Sequence, residues 1–434
     1  MNRSIACVAG LLVATVAIVA GRPVLATDGY FSHGYGTRAK GMGGAGVALP
    51  QDATAAIVNP AGMVRVGNRY DLSLSLFMPE RGYRVDGAPS GAPGTFGLAP
   101  GSVESRETAF GVPGLSLNRM LGPNRAIGLT ISGNGGMNTT YPADAGGVGT
   151  FGAGQAGVNL SQLFISPTYA ANVGPHTSVG VAVVFAYQMF ETRGVGSFGQ
   201  MVADGVPDCL SNNGSDTSTG LGLRLGALHD IGPKLTLGAA FEPQLHMGRF
   251  DRYADLFAEQ GKFDIPASFT AGLAYKLSDT SVLAFDYQHI WYRWIHSVGN
   301  PFSNLYQGMG GDPGSLLGGD NGPGFGWRNM TVLKLGAQWG AGRGWTLRSG
   351  VNYGRQPIPG SEVLFNILAP GVQQWHLTAG FTKDLGSAGE LTFAMMYSPN
   401  QEVVGPNPME APGQQVIKLH MHQTEFEVSW GKRF

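Results

Sequence analysis

Residues 423–434 read Gln423-Thr424-Glu425-Phe426-Glu427-Val428-Ser429-Trp430-Gly431-Lys432-Arg433-Phe434. Even positions carry Phe426, Val428, Trp430 and Phe434, and odd positions carry Gln423, Glu425, Glu427 and Ser429. A strand sends successive side chains to opposite faces. One face here suits lipid and the other a polar interior, as in a transmembrane β-barrel. Lys432 interrupts the apolar face where the strand nears the membrane edge, and a lysine can reach water from there.

The same period runs backwards through the chain. Leu391, Phe393, Met395 and Tyr397 alternate with Thr392 and Ala394; Leu283, Phe285, Tyr287 and Trp291 alternate with Ala284, Asp286 and Gln288. In all, fourteen strands are expected near 70–78, 110–118, 126–132, 163–171, 179–188, 221–228, 235–242, 269–276, 283–291, 333–339, 345–353, 375–381, 391–397 and 423–434. Short turns near 121–125, 173–176, 230–234, 277–280, 340–344 and 385–389 alternate with long loops near 84–104, 134–160, 191–216, 249–264, 295–328, 356–372 and 398–419. Outer-membrane barrels have an even strand number, short periplasmic turns and long external loops. Trp339 and Trp345 at a short turn, with Trp291 and Trp294 near a long loop, suit two aromatic girdles.

Composition agrees. The charged fraction is 13%, about half that of an ordinary soluble domain. Glycine accounts for 69 of 434 residues, roughly twice the usual share. Arg3, the apolar stretch from Ile5 to Ala20 and Val24-Leu25-Ala26 form a secretory signal over residues 1–26, with Thr27 as the expected mature start. Its removal leaves 26 basic and 29 acidic residues, a net charge of −3. No basic surface for nucleic acid is expected. Cys7 leaves with the signal, so Cys209 has no disulfide partner.

Residues 27–66 lack the strand period and are rich in Gly and Ala. Fourteen strands enclose more space than side chains alone can fill, so this segment is expected as a plug, with the barrel over 67–434. Gly41-Met42-Gly43-Gly44-Ala45-Gly46 spells G-x-G-x-x-G, but no βαβ unit surrounds it, so no dinucleotide or other cofactor is expected. Asn59-Pro60 taken alone reads as a turn.

Three stretches stand out: Lys40-Gly41-Met42-Gly43-Gly44-Ala45 with Asp52-Ala53 and Asn59-Pro60-Ala61-Gly62, Ile265-Pro266-Ala267-Ser268 before Gly272-Leu273-Ala274-Tyr275, and Trp345-Thr346-Leu347-Arg348-Ser349-Gly350 before Asn352-Tyr353 and Gln356-Pro357-Ile358-Pro359. In these the chain resembles the outer-membrane long-chain fatty acid and toluene transporters. Tyr353-Gly354 stands where the family usually has Tyr-Asp. The resemblance implies a barrel plugged by an N-terminal hatch bearing Asn59, Pro60 and Ala61. It also implies capture of an apolar molecule at an outer groove, an apolar pocket within, and lateral release beside a kinked third strand. No enzyme activity is implied. The implied partners are hydrophobic solutes, outer-membrane lipid and lipopolysaccharide, and the assembly machinery that reads Phe434; a monomer is expected.

The groove would use Phe198, Met201 and Val202 with Tyr253, Leu256 and Phe257, each trio at helical spacing; alternatively the two loop helices pack on each other. Gly133, Gly135 and Gly136 suit a kink that opens the ladder, or an ordinary strand end. Lys334 and Arg348 face the lumen, to meet a carboxylate or to pair with acids such as Asp286 and Glu242. His420-x-His422 supplies only two ligands, too few for a metal site, and no Ser–His–Asp spacing appears. A general porin and a membrane lipid hydrolase remain as rival functions, and the residues do not separate fatty acids from aromatic hydrocarbons.

Overall fold

The computed structural model describes residues 28–434, so the signal segment lies outside the described residues. Fifteen strands form one antiparallel sheet: β1 (Arg69–Asp86), β2 (Gly101–Glu104), β3 (Phe110–Gly122), β4 (Arg125–Tyr141), β5 (Ala156–Asn172), β6 (Thr177–Arg193), β7 (Asp216–Ile231), β8 (Leu235–Glu242), β9 (Ser268–Lys276), β10 (Ser281–Ile290), β11 (Met330–Gly342), β12 (Trp345–Gly354), β13 (Trp375–Asp384), β14 (Glu390–Pro406) and β15 (Val416–Arg433). β2 is a short flap on the outer end of β1, pairing Gly82–Val85 with Gly101–Glu104. The other fourteen close a barrel through β15 and β1, in register from Arg69 opposite Arg433 to Asp86 opposite Val416.

The final strand has the expected register. Gln423, Glu425 and Glu427 are buried inside, while Val428 and Phe434 are exposed outside. Phe434 stacks on Tyr70, with ring centroids 6.1 Å apart, and its N–H donates to the Asn68 carbonyl at 3.2 Å. Leu221, Leu223 and Leu225 show the same outward apolar row on β7.

Two expected long loops are shorter than the sequence suggests. β4 continues to Tyr141 and β5 begins at Ala156, and β14 runs to Pro406 with β15 starting at Val416. Outside, Glu402 on β14 and His420 and His422 on β15 stand near Glu104 on β2 and Glu80 on β1, so the lipid pattern weakens before the ladder ends. His420 pairs with Glu104 and His422 with Glu80. Among the described residues no group of three ligands could hold a metal.

Residues 28–66 lie inside the barrel as short helical turns, Thr37–Lys40, Ala55–Val58, Pro60–Gly62 and Met63–Val66. Much of the glycine excess is explained here. A Cβ on Gly180 would stand 2.4 Å from the Pro60 carbonyl carbon, one on Gly238 2.3 Å from the Val47 oxygen, and one on Gly350 2.1 Å from the Met42 carbonyl carbon. Bare backbone on the wall therefore lets the segment seat against it. Polar contacts fix its orientation. Lys40 bonds to both Glu425 and Glu427, the latter at 2.6 Å; Arg38 reaches Glu390 at 2.5 Å; Asp286 accepts from the Gly46 and Val47 amides at 2.8 and 2.9 Å; and Asp71 accepts from the Ala53 amide at 2.9 Å.

Candidate functional site

The apolar core of the molecule lies above this segment, beneath the external loops. There an apolar cavity is walled by Phe190, Phe198, Leu256, Phe257, Phe325 and Phe365, with Val158, Leu317 and Leu368 closing it. The walls come from four loops and the tops of β5 and β6. Aromatic rings give the loops, which hold only short helical turns, enough apolar area to order themselves. Phe190 and Phe257 lie 4.6 Å apart, Phe198 and Phe365 5.4 Å.

Of the six residues expected on the outer loops, Phe198, Leu256 and Phe257 line this cavity. Tyr253 sits behind it, fully buried against Phe190, and its hydroxyl donates to the Gly214 carbonyl at 2.6 Å. Met201 and Val202 tie two loops together: Leu317 donates to Met201 and Ala203 to Leu317, both at 2.9 Å. The expected loop helices are 3-10 turns, Gly196–Met201 and Asp251–Tyr253, so helical spacing does not place each trio on one face. Sequence reasoning missed Phe190 near the upper end of β6 and Phe325 and Phe365 in the loops; aromatic density was the only signal. Cys209 is free, and burial pushes its thiol up.

The wall is interrupted at the third barrel strand. β3 and β4 pair only as far as Leu115 opposite Ile131. Above that, Phe110–Gly114 still pairs with β1, and β4 still pairs with β5 up to Tyr141. The two edges meet again where the Arg106 amide donates to the Thr140 carbonyl at 2.9 Å. A bulge at Asn134 shifts the β4–β5 register between Gly133 and Gly135, so the glycines mark an interruption and not a strand end. Gly133 lines a small cavity with Val112, Pro113, Gly114, Ile131 and Ser132. The Gly136 amide donates to the Tyr30 carbonyl at 3.0 Å, and a Cβ on Gly135 would stand 1.8 Å from that same oxygen. The inner segment therefore rests on the bulge itself.

Asn59, Pro60 and Ala61 are buried where the segment meets β6 and β7. The Asn59 amide donates to the Val47 carbonyl at 2.8 Å and to the Ala227 carbonyl at 3.0 Å, and its oxygen accepts from the Ala61 amide at 3.1 Å. Asn59 caps one turn and straps it to the wall, more than the plain turn of the local spelling. Lys334 donates to the His33 carbonyl at 2.8 Å and lies 3.5 Å from Asp28. Arg348 donates to Thr382 at 2.7 Å and Gln51 at 3.1 Å. Both cations are spent on the segment and its surroundings. Neither pairs with Asp286 or Glu242, the latter being held by Arg224.

The profile of the outer membrane protein transport protein family (OMPP1/FadL/TodX) matches residues 13–404. The chain belongs to this family. Solved structures agree in fold. The toluene transporter TodX of P. putida superposes with a TM-score of 0.65 at 18% identity, covering 93% of this chain and 99% of that one. A Pseudomonas aeruginosa FadL homologue gives 0.66 at 17%, covering 94% and 100%. The monoaromatic hydrocarbon channel CymD gives 0.57 at 20%, covering 92% and 98%. No curated protein matches by sequence. Family membership makes this an outer-membrane transport protein and sets the barrel in the outer membrane of a Gram-negative cell.

Proposed function

We propose that this member of the family takes up hydrophobic molecules by diffusion, as a channel without enzyme activity. The cargo enters the cavity walled by Phe198, Leu256 and Phe257, passes inward over residues 28–66, and leaves sideways between β3 and β4. The observation that carries this reading is the apolar cavity above a filled lumen with an interrupted wall beside it. Water in an open pore rejects apolar solutes, whereas each buried methylene favours the cavity by roughly 0.8 kcal/mol. Residues 27–66 are proposed as the hatch. Asn59 straps it to β7, and monomers embedded in lipid and lipopolysaccharide suffice for the path.

The test is uptake of dodecanoate and of toluene into proteoliposomes with no gradient of ions or nucleotide. Saturable entry, lost in Leu256→Trp and reduced in Asn59→Ala at unchanged folded yield, is expected. Entry of small sugars at the same rate, unaffected by either change, would mark a general porin; turnover of phospholipid would mark a hydrolase. Phe434→Ala should lower folded yield through the assembly machinery while any folded fraction transports normally.

A further inference from the structure

A polar cleft lies on the lipid-facing side of the wall, where β4, β5 and β6 rise toward the long loops. Its lining includes Glu107, Asn138, Thr140, Asn159, Glu191 and Arg193. Strand alternation fixes which side this is. Thr139 and Tyr141 donate inward to the Leu368 and Ile367 carbonyls at 2.7 and 2.8 Å, so Asn138 and Thr140 point outward. Val158 and Phe190 belong to the apolar core, so Asn159 and Glu191 point outward too. Lower on the same side of β5 and β6 stand the exposed rings of Tyr169, Phe185 and Tyr187. Outer-membrane barrels keep short turns in the periplasm and long loops outside. Glu191 follows Tyr187 on β6, about 13 Å further along a tilted strand, which sets the cleft in the external headgroup layer.

The chemistry of the lining selects an occupant. Asn138 is 4% exposed. Its amide nitrogen donates to Asn159 Oδ1 at 2.9 Å, while its own Oδ1 has no partner among the described residues. A buried amide oxygen without a donor is costly, and a ligand hydroxyl would supply one. Glu107 accepts from the Thr140 hydroxyl at 3.3 Å, and Glu191 holds Arg193 at 2.5 Å. Two carboxylates beside one paired cation repel a bare phosphate. Amide and carboxylate acceptors side by side instead match the hydroxyls of a sugar. We propose that this cleft seats the sugar headgroup of an outer-leaflet glycolipid, whose acyl chains lie down the wall over Phe185 and Tyr187. Asn138 and Thr140 stand on the stretch of β4 that has no β3 partner, so the seated lipid covers the wall interruption from outside. The proposal is independent of the uptake reading.

The test uses the full-length barrel in phosphatidylglycerol nanodiscs, with bound lipid counted by native mass spectrometry. The probes are a phosphate-free tetra-acyl diglucosamine lipid, phosphatidic acid and free diglucosamine. The sugar lipid should be held as a single copy, about tenfold in preference to phosphatidic acid, the range of one or two hydrogen bonds. The double change Asn138→Leu with Asn159→Leu replaces both partners of one hydrogen bond by apolar groups of similar shape, so folded yield should hold and the preference should vanish. Thr140→Val, a smaller change in the same cleft, should lower the preference about threefold and decides the matter alone should the double variant not fold. No preference in the parent, preference for phosphatidic acid, or a preference undiminished in the variants that fold would each overturn the proposal. Free diglucosamine bound as tightly as the lipid would assign the cleft to a soluble glycan and overturn the lipid assignment.

Discussion

The two halves of the barrel interior are built from different interactions. Below, residues 28–66 meet the wall through glycine backbone, buried ion pairs and amide-to-carboxylate bonds at Gly350, Lys40 and Asp286. Above, the external loops meet one another through aromatic rings around Phe198, Phe257 and Phe365. Hydrogen bonds and bare-backbone contacts are directional and fail when displaced by an ångström. Burial of apolar surface is non-directional and tolerates a guest. The lower half is thus suited to hold one conformation and the upper half to receive varied cargo.

The most severe way to break this contrast is Lys40→Met. It leaves Glu425 and Glu427 buried without a cation, at about 3–5 kcal/mol. Segment 28–66 should become protease-sensitive and single-channel recordings should show an ionic leak; a tight, silent barrel would mean that the ion pairs do not hold the segment. Gly350→Ala comes next. Its Cβ would fall 2.1 Å from the Met42 carbonyl carbon, an overpacking cost of about 1–3 kcal/mol. The same protease assay should report a smaller release. In the upper half, Leu256→Ala should weaken ligand binding about tenfold and leave the leak at the parental level. A leak there would erase the distinction between the halves. Tyr253→Phe is the mildest: loss of the bond to Gly214 should cost about 1 kcal/mol, read as faster hydrogen exchange in the loops with little change in affinity.

The sequence carried the barrel further than the site. Alternation at Phe426, Val428 and Trp430 follows from one side of each strand meeting lipid, and lipid imposes that pattern locally. It fails where β14 and β15 rise above the membrane, since no solvent there demands apolar residues outside. The cavity was half legible. Phe198, Leu256 and Phe257 showed as apolar residues in polar loops, but Phe190, Phe325 and Phe365 meet them only through tertiary contacts that no period encodes. Lys334 and Arg348 drew attention as lumen cations and are occupied by Asp28, His33, Thr382 and Gln51. Asn138 passed unnoticed because the unpartnered oxygen of its side chain is a property of the fold and not of the spelling.

One feature of the seam reaches into the making of the protein. Barrel closure joins β1 to β15, and both sides of that joint are held from within: Asp71 on β1 accepts from Ala53, and Glu427 on β15 accepts from Thr37 and Lys40. Arg38 adds Glu390 on the neighbouring β14. The segment that is synthesised early thus supplies partners for the strand that is synthesised last. Closing the cylinder and seating the N-terminal residues therefore share the same contacts, so neither is complete without the other.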